Sequence, residues 1–286
     1  MLLSLFINGT LVVWFDKNFI LGYFSRMTHF KVVFFLLFLS STTMAQVRVG
    51  KLVVKSNEVY TLDETDILVA DTLIMMDSSR IVLNKLKPEN FLRVKVAIIG
   101  SYCVIDGKGL PGKTGRQGRN GLSYNAPCRD GLPGGPGTRG LDGRPGINLF
   151  LYLDKVSVRG PLIIDVSGGN GGQGGAGGAG GGGSPGTLHC NGGNGANGGN
   201  GAPGGNGAHG GSLVFSSLNN EAIQAMIGTK ILVKTSGGNP GEGGRPGYHG
   251  GAGLGPRGKN GKNGDPGAEG KSGITGVDGS LKFETN

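Results

Sequence analysis

The sequence is poor in the side chains that fill an ordinary protein core. Of its 286 residues one is Trp, aromatic residues make up 7% and charged residues 16%. A chain of this length could form one or two domains, but this composition cannot fill an apolar core of matching size. The net charge of +9 permits contact with acidic polymers and by itself identifies no partner.

Catalytic constellations are also missing. No Ser/His/Asp group and no pair of carboxylates can be assembled, and residues 107–114 match the phosphate-loop pattern without the helix that such a loop requires. His189, Cys190 and His249 show no recognisable metal-ligand spacing. We therefore predict a non-enzymatic protein with no catalytic residue, no metal site and no cofactor.

The N-terminal region resembles an export signal. His29 and Lys31 precede the apolar run 32–39, and small residues lead to Ala45. A basic start, a short apolar run and small residues before a cut are typical of a secretory signal peptide, and the run is too short to span a membrane. We predict a start at Met27 with residues 1–26 as an upstream extension, cleavage after Ala45, and a secreted or cell-surface protein, extracellular or periplasmic, without a membrane span.

Glycine is the abundant residue, and it is spaced at a period of three. Of 61 glycines, 59 lie after residue 45. Most fall on six tracts in which Gly occupies every third position, with one interruption at His189. The tracts are residues 109–121, 131–146, 168–186, 192–210, 238–253 and 255–279.

A period of three is that of the polyproline-II conformation, which has no internal hydrogen bonds. Either three chains wind into a collagen triple helix, or one chain packs its own tracts side by side. The third and fourth tracts carry additional Gly, which gives each two Gly faces and favours a single-chain bundle with these tracts inside. The predicted fold class is therefore mostly β and polyproline-II, with a β-rich base and a bundle of six glycine-rich (polyglycine-II) helices; a collagen-like triple helix is the alternative.

The segments between tracts alternate in character. Residues 147–167 are β-rich, with predicted strands at 149–153 and 162–166. Residues 212–236 predict a strand at 212–216, a short helix near 220–227 and a strand at 230–234, whereas the other connections are short. Residues 46–106 alternate apolar and polar residues and fit a β-solenoid-like or a sandwich cap. We predict three domains: the signal region 1–45, a β-rich cap 46–106, and a glycine-repeat bundle 107–286 with two β insertions.

The short connections 122–130, 187–191 and the region near Leu254 are expected to meet at the far tip. Cys128 and Cys190 would then be able to form a disulfide, which the secreted context allows, while Cys103 is expected to be a buried free thiol. Loops on a scaffold commonly carry recognition; the alternative is that these residues only cover the end. The candidate binding residues are Tyr124, Arg129, His189, Tyr248 and His249.

Among the tracts, Lys and Arg are concentrated in the outer ones, and tracts three and four contain none. Solvation alone would explain these charges, and the functional alternative is attraction to acidic polysaccharide or lipid headgroups. No basic module interleaved with aromatic residues indicates nucleic acid. We expect acidic glycans or a cell-surface receptor as partner, and a monomer rather than a homotrimer.

The triplets Gly168-Gly169-Asn170 and Gly198-Gly199-Asn200 carry a family resemblance. The tracts between 109 and 279 resemble secreted bacterial collagen-like, glycine-rich repeat proteins, and look like the polyglycine-II bundles of phage tail-fibre adhesins and springtail antifreeze proteins. The resemblance to the adhesins implies receptor binding by the turns. It implies a structural or adhesive protein; the other possibilities are a trimeric collagen-like stalk and, more remotely, a β-solenoid carbohydrate-active protein.

Overall fold

The computed structural model describes residues 4–7, 10–13 and 46–284. The chain divides into two compact units, Met1–Ala45 and Gln46–Asn286. In the first unit, β1 (Ser4–Ile7) pairs antiparallel with β2 (Thr10–Val13). The predicted signal peptide, with its start at Met27, lies outside the described residues.

The second unit is built on two parallel sheets. The strands are β3 (Gln46–Val54), β4 (Val59–Thr61), β5 (Ile67–Met75), β6 (Arg80–Val82), β7 (Glu89–Ile99), β8 (Cys103–Asp106), β9 (Asn148–Val158), β10 (Leu162–Asp165), β11 (Leu213–Ser217), β12 (Ile231–Lys234) and β13 (Leu281–Glu284); the helix α1 spans Asn220–Met226. One sheet has six strands in the order β13-β11-β9-β7-β5-β3, and the other has five in the order β12-β10-β8-β6-β4. Consecutive strands alternate between the two sheets, so the chain winds as a β-solenoid.

The apolar core lies between the two sheets. Along β5 the residues Leu68, Ala70, Leu73 and Met75 are all buried. Burial alternates on each side of Asp71, as expected where one face of a strand packs inward and the other meets solvent. Aliphatic residues supply most of this core.

The strands and the helix predicted within the second unit are confirmed. Residues 149–153 and 162–166 lie in or overlap β9 and β10. Residues 212–216 and 230–234 correspond to β11 and β12, and the predicted helix near 220–227 is α1. The helix is capped by the side chain of Asn219, which accepts a hydrogen bond from the Ala222 N–H.

The glycine tracts are inserted into the solenoid as three pairs, each between one strand and the next. The first pair of tracts follows β8 and leads into β9, the second pair joins β10 to β11, and the third joins β12 to β13. Each pair therefore leaves from the five-stranded sheet and returns to the six-stranded sheet. Because parallel strands are stacked in register, each pair starts beside the preceding one.

The predicted fold class is wrong. Instead of a β-rich base carrying a bundle of six glycine-rich helices, the regular structure is two parallel sheets with one α-helix of seven residues. Within the described residues the tracts form neither bundled nor collagen helices. The segments expected to form a cap and separate insertions pair directly with one another, as β7 does with β9 and β9 with β11, so the sheets form the continuous frame.

Candidate functional site at the three turns

Backbone hydrogen bonds hold the six tracts in two layers. In one layer Gly115 N–H donates to Gln173 O at 2.8 Å, and Gly174 N–H donates to Glu242 O at 2.8 Å. The tracts that leave the five-stranded sheet therefore lie side by side. The returning tracts form the other layer through equivalent bonds, such as Gly201 N–H to Ala268 O at 2.8 Å.

The two layers are bonded to each other as well. Thr138 N–H in the second tract donates to Arg116 O in the first at 2.9 Å. Tracts three and four are the middle tracts of their layers and have a neighbouring tract on each side as well as in the other layer, which accounts for their additional glycines. Because hydrogen bonds hold every tract beside its neighbours, the three turns that join the tracts of each pair lie at the same end of the tracts.

Asparagine side chains complete this network at the surface. The Oδ1 atoms of Asn197 and Asn200 in tract four accept from the N–H groups of Asp265 and Ala268 in tract six, both at 2.8 Å. These bonds satisfy N–H groups for which an outer tract has no further neighbouring tract. The Gly-Gly-Asn triplet thus combines two close backbone contacts with one side-chain acceptor.

The first turn is joined covalently to the second turn and by hydrogen bonds to the end of tract three. Cys128 and Cys190 form a disulfide with their Cα atoms 6.0 Å apart. Cys128 N–H donates to Pro185 O, and Ser184 N–H donates to Arg129 O, each at 2.9 Å. The Ser184 hydroxyl also donates to the carbonyl of Tyr124. Cys103 is free and buried, as predicted.

The third turn lies against the second. Gly186 N–H donates to Leu254 O at 2.8 Å, and Gly192 N–H donates to Lys259 O at 2.9 Å. A short 3-10 turn at Pro256–Gly258 reverses the chain here, and Arg257 within it has φ 56°. All three turns consequently belong to one surface, which we call the turn surface (residues 122–130, 187–191 and 254–259).

Three of the five candidate binding residues lie in the turns. Tyr124, Arg129 and His189 are exposed there. Tyr248 and His249 instead lie within tract five, before the turn near Leu254. There the carbonyl of Tyr248 accepts a hydrogen bond from Gly180 N–H of the neighbouring tract three at 2.8 Å. Tyr248 is 83% exposed and therefore available, on the flank of the turn surface.

Sequence reasoning missed an apolar component of this surface. Leu122, Leu188 and Leu254 are 63%, 81% and 73% exposed, and one lies at each turn. The signal was present in the sequence, since leucine has no evident place in a short connection among Gly, Asn and Pro. Exposed apolar groups gathered on one surface commonly mark contact sites.

The charged groups of the turn surface are mainly cationic. Arg129, Arg257 and Lys259 are exposed, whereas Asp130 accepts a hydrogen bond from Asn194 N–H at 2.6 Å. Cationic and aromatic groups therefore lie on the same surface as the exposed leucines.

Groups with altered acidity lie elsewhere. The pKa of the Asp71 carboxyl is lowered by its hydrogen bond and ion pair with Lys95, and that of Asp77 by the N–H of Ser101 and by Arg159. Both aspartates belong to the solenoid. Within the described part of the chain, no group of three or more His, Cys, Asp and Glu is arranged to hold a metal ion.

In the described ranges, none of the helices has the length and apolar character needed to cross a membrane. Comparison with protein-family models, with characterised proteins and with solved structures finds no match to this chain.

Proposed function

We propose that the protein is a secreted, non-enzymatic structural or adhesive protein that uses the turn surface for recognition. The observation that carries this proposal is the fixed arrangement of the three turns, one from each pair of tracts. They are held by the Cys128–Cys190 disulfide and by backbone bonds, such as that from Gly186 N–H to Leu254 O.

Preorganisation supports a binding role. Loops that are ordered before contact lose little conformational entropy on binding, so more of the contact energy appears as affinity. The tracts beneath the turns are bonded in two directions, and the disulfide fixes two of the turns to each other. A surface that only closed the end of the stack would not require exposed leucines at all three turns.

The side chains favour a ligand on a cell surface. Tyr combines a broad apolar face with a polar hydroxyl and is enriched at recognition sites. Tyr124 is 43% exposed and Tyr248 83% exposed. Arg129 and Lys259 belong to the turn surface, so a glycan or an acidic receptor segment fits this chemistry, and the predicted export signal would deliver the protein to such a partner.

A binding screen of the mature chain, residues 46–286, against surface glycans and intact cells tests the proposal. Tyr248→Ala and Leu188→Ser are the test variants. Tyr102→Ala and Leu86→Ser are matched controls on the solenoid, with exposures of 66% and 81% against 83% and 81% in the test positions. We expect at least a tenfold loss of affinity in the test variants only.

Equal losses in test and control variants would overturn the proposal, and so would a mature chain that binds no glycan and no cell. In the second case the stack of tracts would serve only to separate other parts. Melting curves of all four variants establish that each is folded before its binding is compared.

A further inference from the structure

Positive charge is concentrated on one pair of tracts. Residues 107–146, the first pair with its turn, contain seven Lys and Arg against two Asp, a net charge of +5. The predicted mature chain carries +7 in total, residues 168–211 carry no charged side chain, and residues 237–280 carry five cations against four anions. The two outer edges of the stack therefore differ sharply in charge.

The hydrogen-bond register arranges four of these cations along one edge. Three N–H groups of the second tract donate to the carbonyls of three cationic residues of the first tract. The bonds run from Leu141 to Lys113 at 2.9 Å, from Thr138 to Arg116 at 2.9 Å and from Gly135 to Arg119 at 2.7 Å. One step further along, Arg144 N–H donates to Leu110 O at 2.8 Å. Lys113, Arg116, Arg119 and Arg144 form what we call the edge row.

The three members of the edge row on the first tract share one backbone setting, and Arg144 lies on the second tract. Lys113, Arg116 and Arg119 each follow a Gly of the first tract, and each carbonyl accepts from the second tract. At about 3.1–3.4 Å per residue of extended chain, successive cations on this tract are about 9–10 Å apart. All four side chains are exposed.

This charge is not compensated within the protein. Among the described residues no ion pair joins the edge row to a carboxylate. The two aspartates of the first pair have other partners: Asp130 and Asp142 accept from the N–H groups of Asn194 and Asn206, each at 2.6 Å, and Asp142 also pairs with Arg139 at 2.8 Å. The row therefore presents a linear positive field to solvent.

We propose that the edge row binds a linear acidic polysaccharide along the first pair of tracts, at a surface distinct from the turn surface. A straight row of evenly spaced cations on a fixed backbone is complementary to an extended polymer with charges at regular intervals. Each cation that contacts such a polymer releases counterions from it, and this release favours binding, as it does with other polyanions.

The other polyanions fit this edge less well. Single-stranded nucleic acid is usually held by stacking of bases on aromatic side chains, and residues 107–121 and 131–146 contain no aromatic residue. Anionic membranes are usually bound by a continuous apolar face that enters the lipid. Here Leu110 and Leu141 are 42% and 58% exposed and lie on different tracts, where they are hydrogen-bonded to the cationic residues Arg144 and Lys113.

The experiment measures binding of the mature chain to polygalacturonate, to heparin and to neutral dextran. The test variant is Lys113→Gln/Arg116→Gln/Arg119→Gln. The matched control is Arg245→Gln/Lys262→Gln/Lys271→Gln, which removes the same charge from exposed positions on the third pair of tracts.

We expect both acidic polymers to bind and dextran not to bind. The test variant should lose at least tenfold in affinity and show a weaker dependence on salt, while the control loses less than about threefold. The single variant Arg116→Gln should give an intermediate loss, and it provides the result if the triple variant does not fold.

Three results would overturn the proposal. Equal losses in test and control variants would attribute binding to overall charge. Dextran binding as tight as that of the acidic polymers would remove the role of charge. Tighter binding to phosphatidylserine vesicles or to single-stranded DNA than to either polysaccharide, lost in the same variant, would assign the edge row to another class of polymer.

Discussion

A Cβ atom on Gly201 would lie 1.9 Å from the carbonyl oxygen of Gly244. This oxygen belongs to the backbone of tract five, which is itself bonded to tract four through Gly244 N–H and Ala202 O at 2.8 Å. The neighbour cannot move without breaking the hydrogen bonds on both sides. The contact identifies Gly201 as a position where no side chain fits.

Gly201→Ala is therefore expected to destabilise the protein by more than about 3 kcal/mol, because overpacking against backbone cannot be relieved by a rotamer change. Urea unfolding of the mature chain provides the measurement. Gly251→Ala is the matched control, since a Cβ there meets no atom within 4 Å; its stability should change by less than about 0.5 kcal/mol. A Gly201→Ala variant as stable as wild type would contradict close packing at this position.

The sequence indicated the tracts well because their signal is local. Glycine at every third position marks where backbones approach each other, and the extra Gly of tracts three and four, as at Gly175, marks contact on two sides. A Cβ on Gly175 would meet Arg116 O at 1.9 Å. This period shows at which positions a side chain would not fit, and it can be recognised without knowing which distant residues lie opposite.

The pairing of the strands into two continuous sheets could not be predicted from local sequence patterns. Strand β9 pairs with β7 across the first pair of tracts, through contacts such as Phe91 with Phe150, whose rings stack 4.7 Å apart. Parallel pairing leaves no hairpin signal between its strands. The alternation in residues 46–106 predicted strands correctly and left open the partners that decide between a sandwich and a solenoid.

The disulfide between Cys128 and Cys190 closes a sequence separation of 62 residues. Removing it in Cys128→Ser/Cys190→Ser is expected to cost about 2–4 kcal/mol, since the unfolded chain regains the freedom that the cross-link removed. Dithiothreitol should lower the melting temperature of the wild type to that of the double variant and leave the variant unchanged. Free thiols at both positions in a non-reducing peptide map of secreted protein would contradict the cross-link.

Asn90 is fully buried and bonded to a second buried asparagine. Its Oδ1 accepts from Asn84 N–H at 2.8 Å, and its Nδ2 donates to Asn84 O at 3.2 Å. Asn90→Leu would leave both backbone groups without these partners inside the solenoid. We expect a loss of about 2–4 kcal/mol, since each unsatisfied buried polar group costs about 1–3 kcal/mol.

Asn120→Ala is the control for this prediction. The Asn120 Oδ1 accepts from Ala179 N–H at 2.9 Å on an exposed surface, where water replaces the lost acceptor, so the change should stay below about 1 kcal/mol. Equal losses in the two variants by urea unfolding would show that burial at Asn90 does not determine the cost.

Asp77 provides a pH-dependent contribution to the stability of the solenoid. Its Oδ1 accepts from Ser101 N–H at 2.8 Å and from Arg159, and these partners lower the carboxyl pKa below its ordinary value of 3.8. A carboxyl whose pKa is lower in the folded state stabilises the protein above its unfolded pKa, and that contribution is lost as the pH falls through the folded pKa. Asp77→Asn should therefore be less stable than wild type at pH 6, and the difference should shrink as the pH falls below about 4.

Arg159→Gln separates the two causes of the lowered pKa. The hydrogen bond from Ser101 is the larger cause, so the Asp77 pKa measured by carbon NMR should rise in this variant and still stay below 3.8. Melting curves of wild type and Asp77→Asn between pH 2 and pH 6 complete the test. If their difference in melting temperature is the same at both limits, the carboxylate of Asp77 does not stabilise the corner where Ser101 and Arg159 meet.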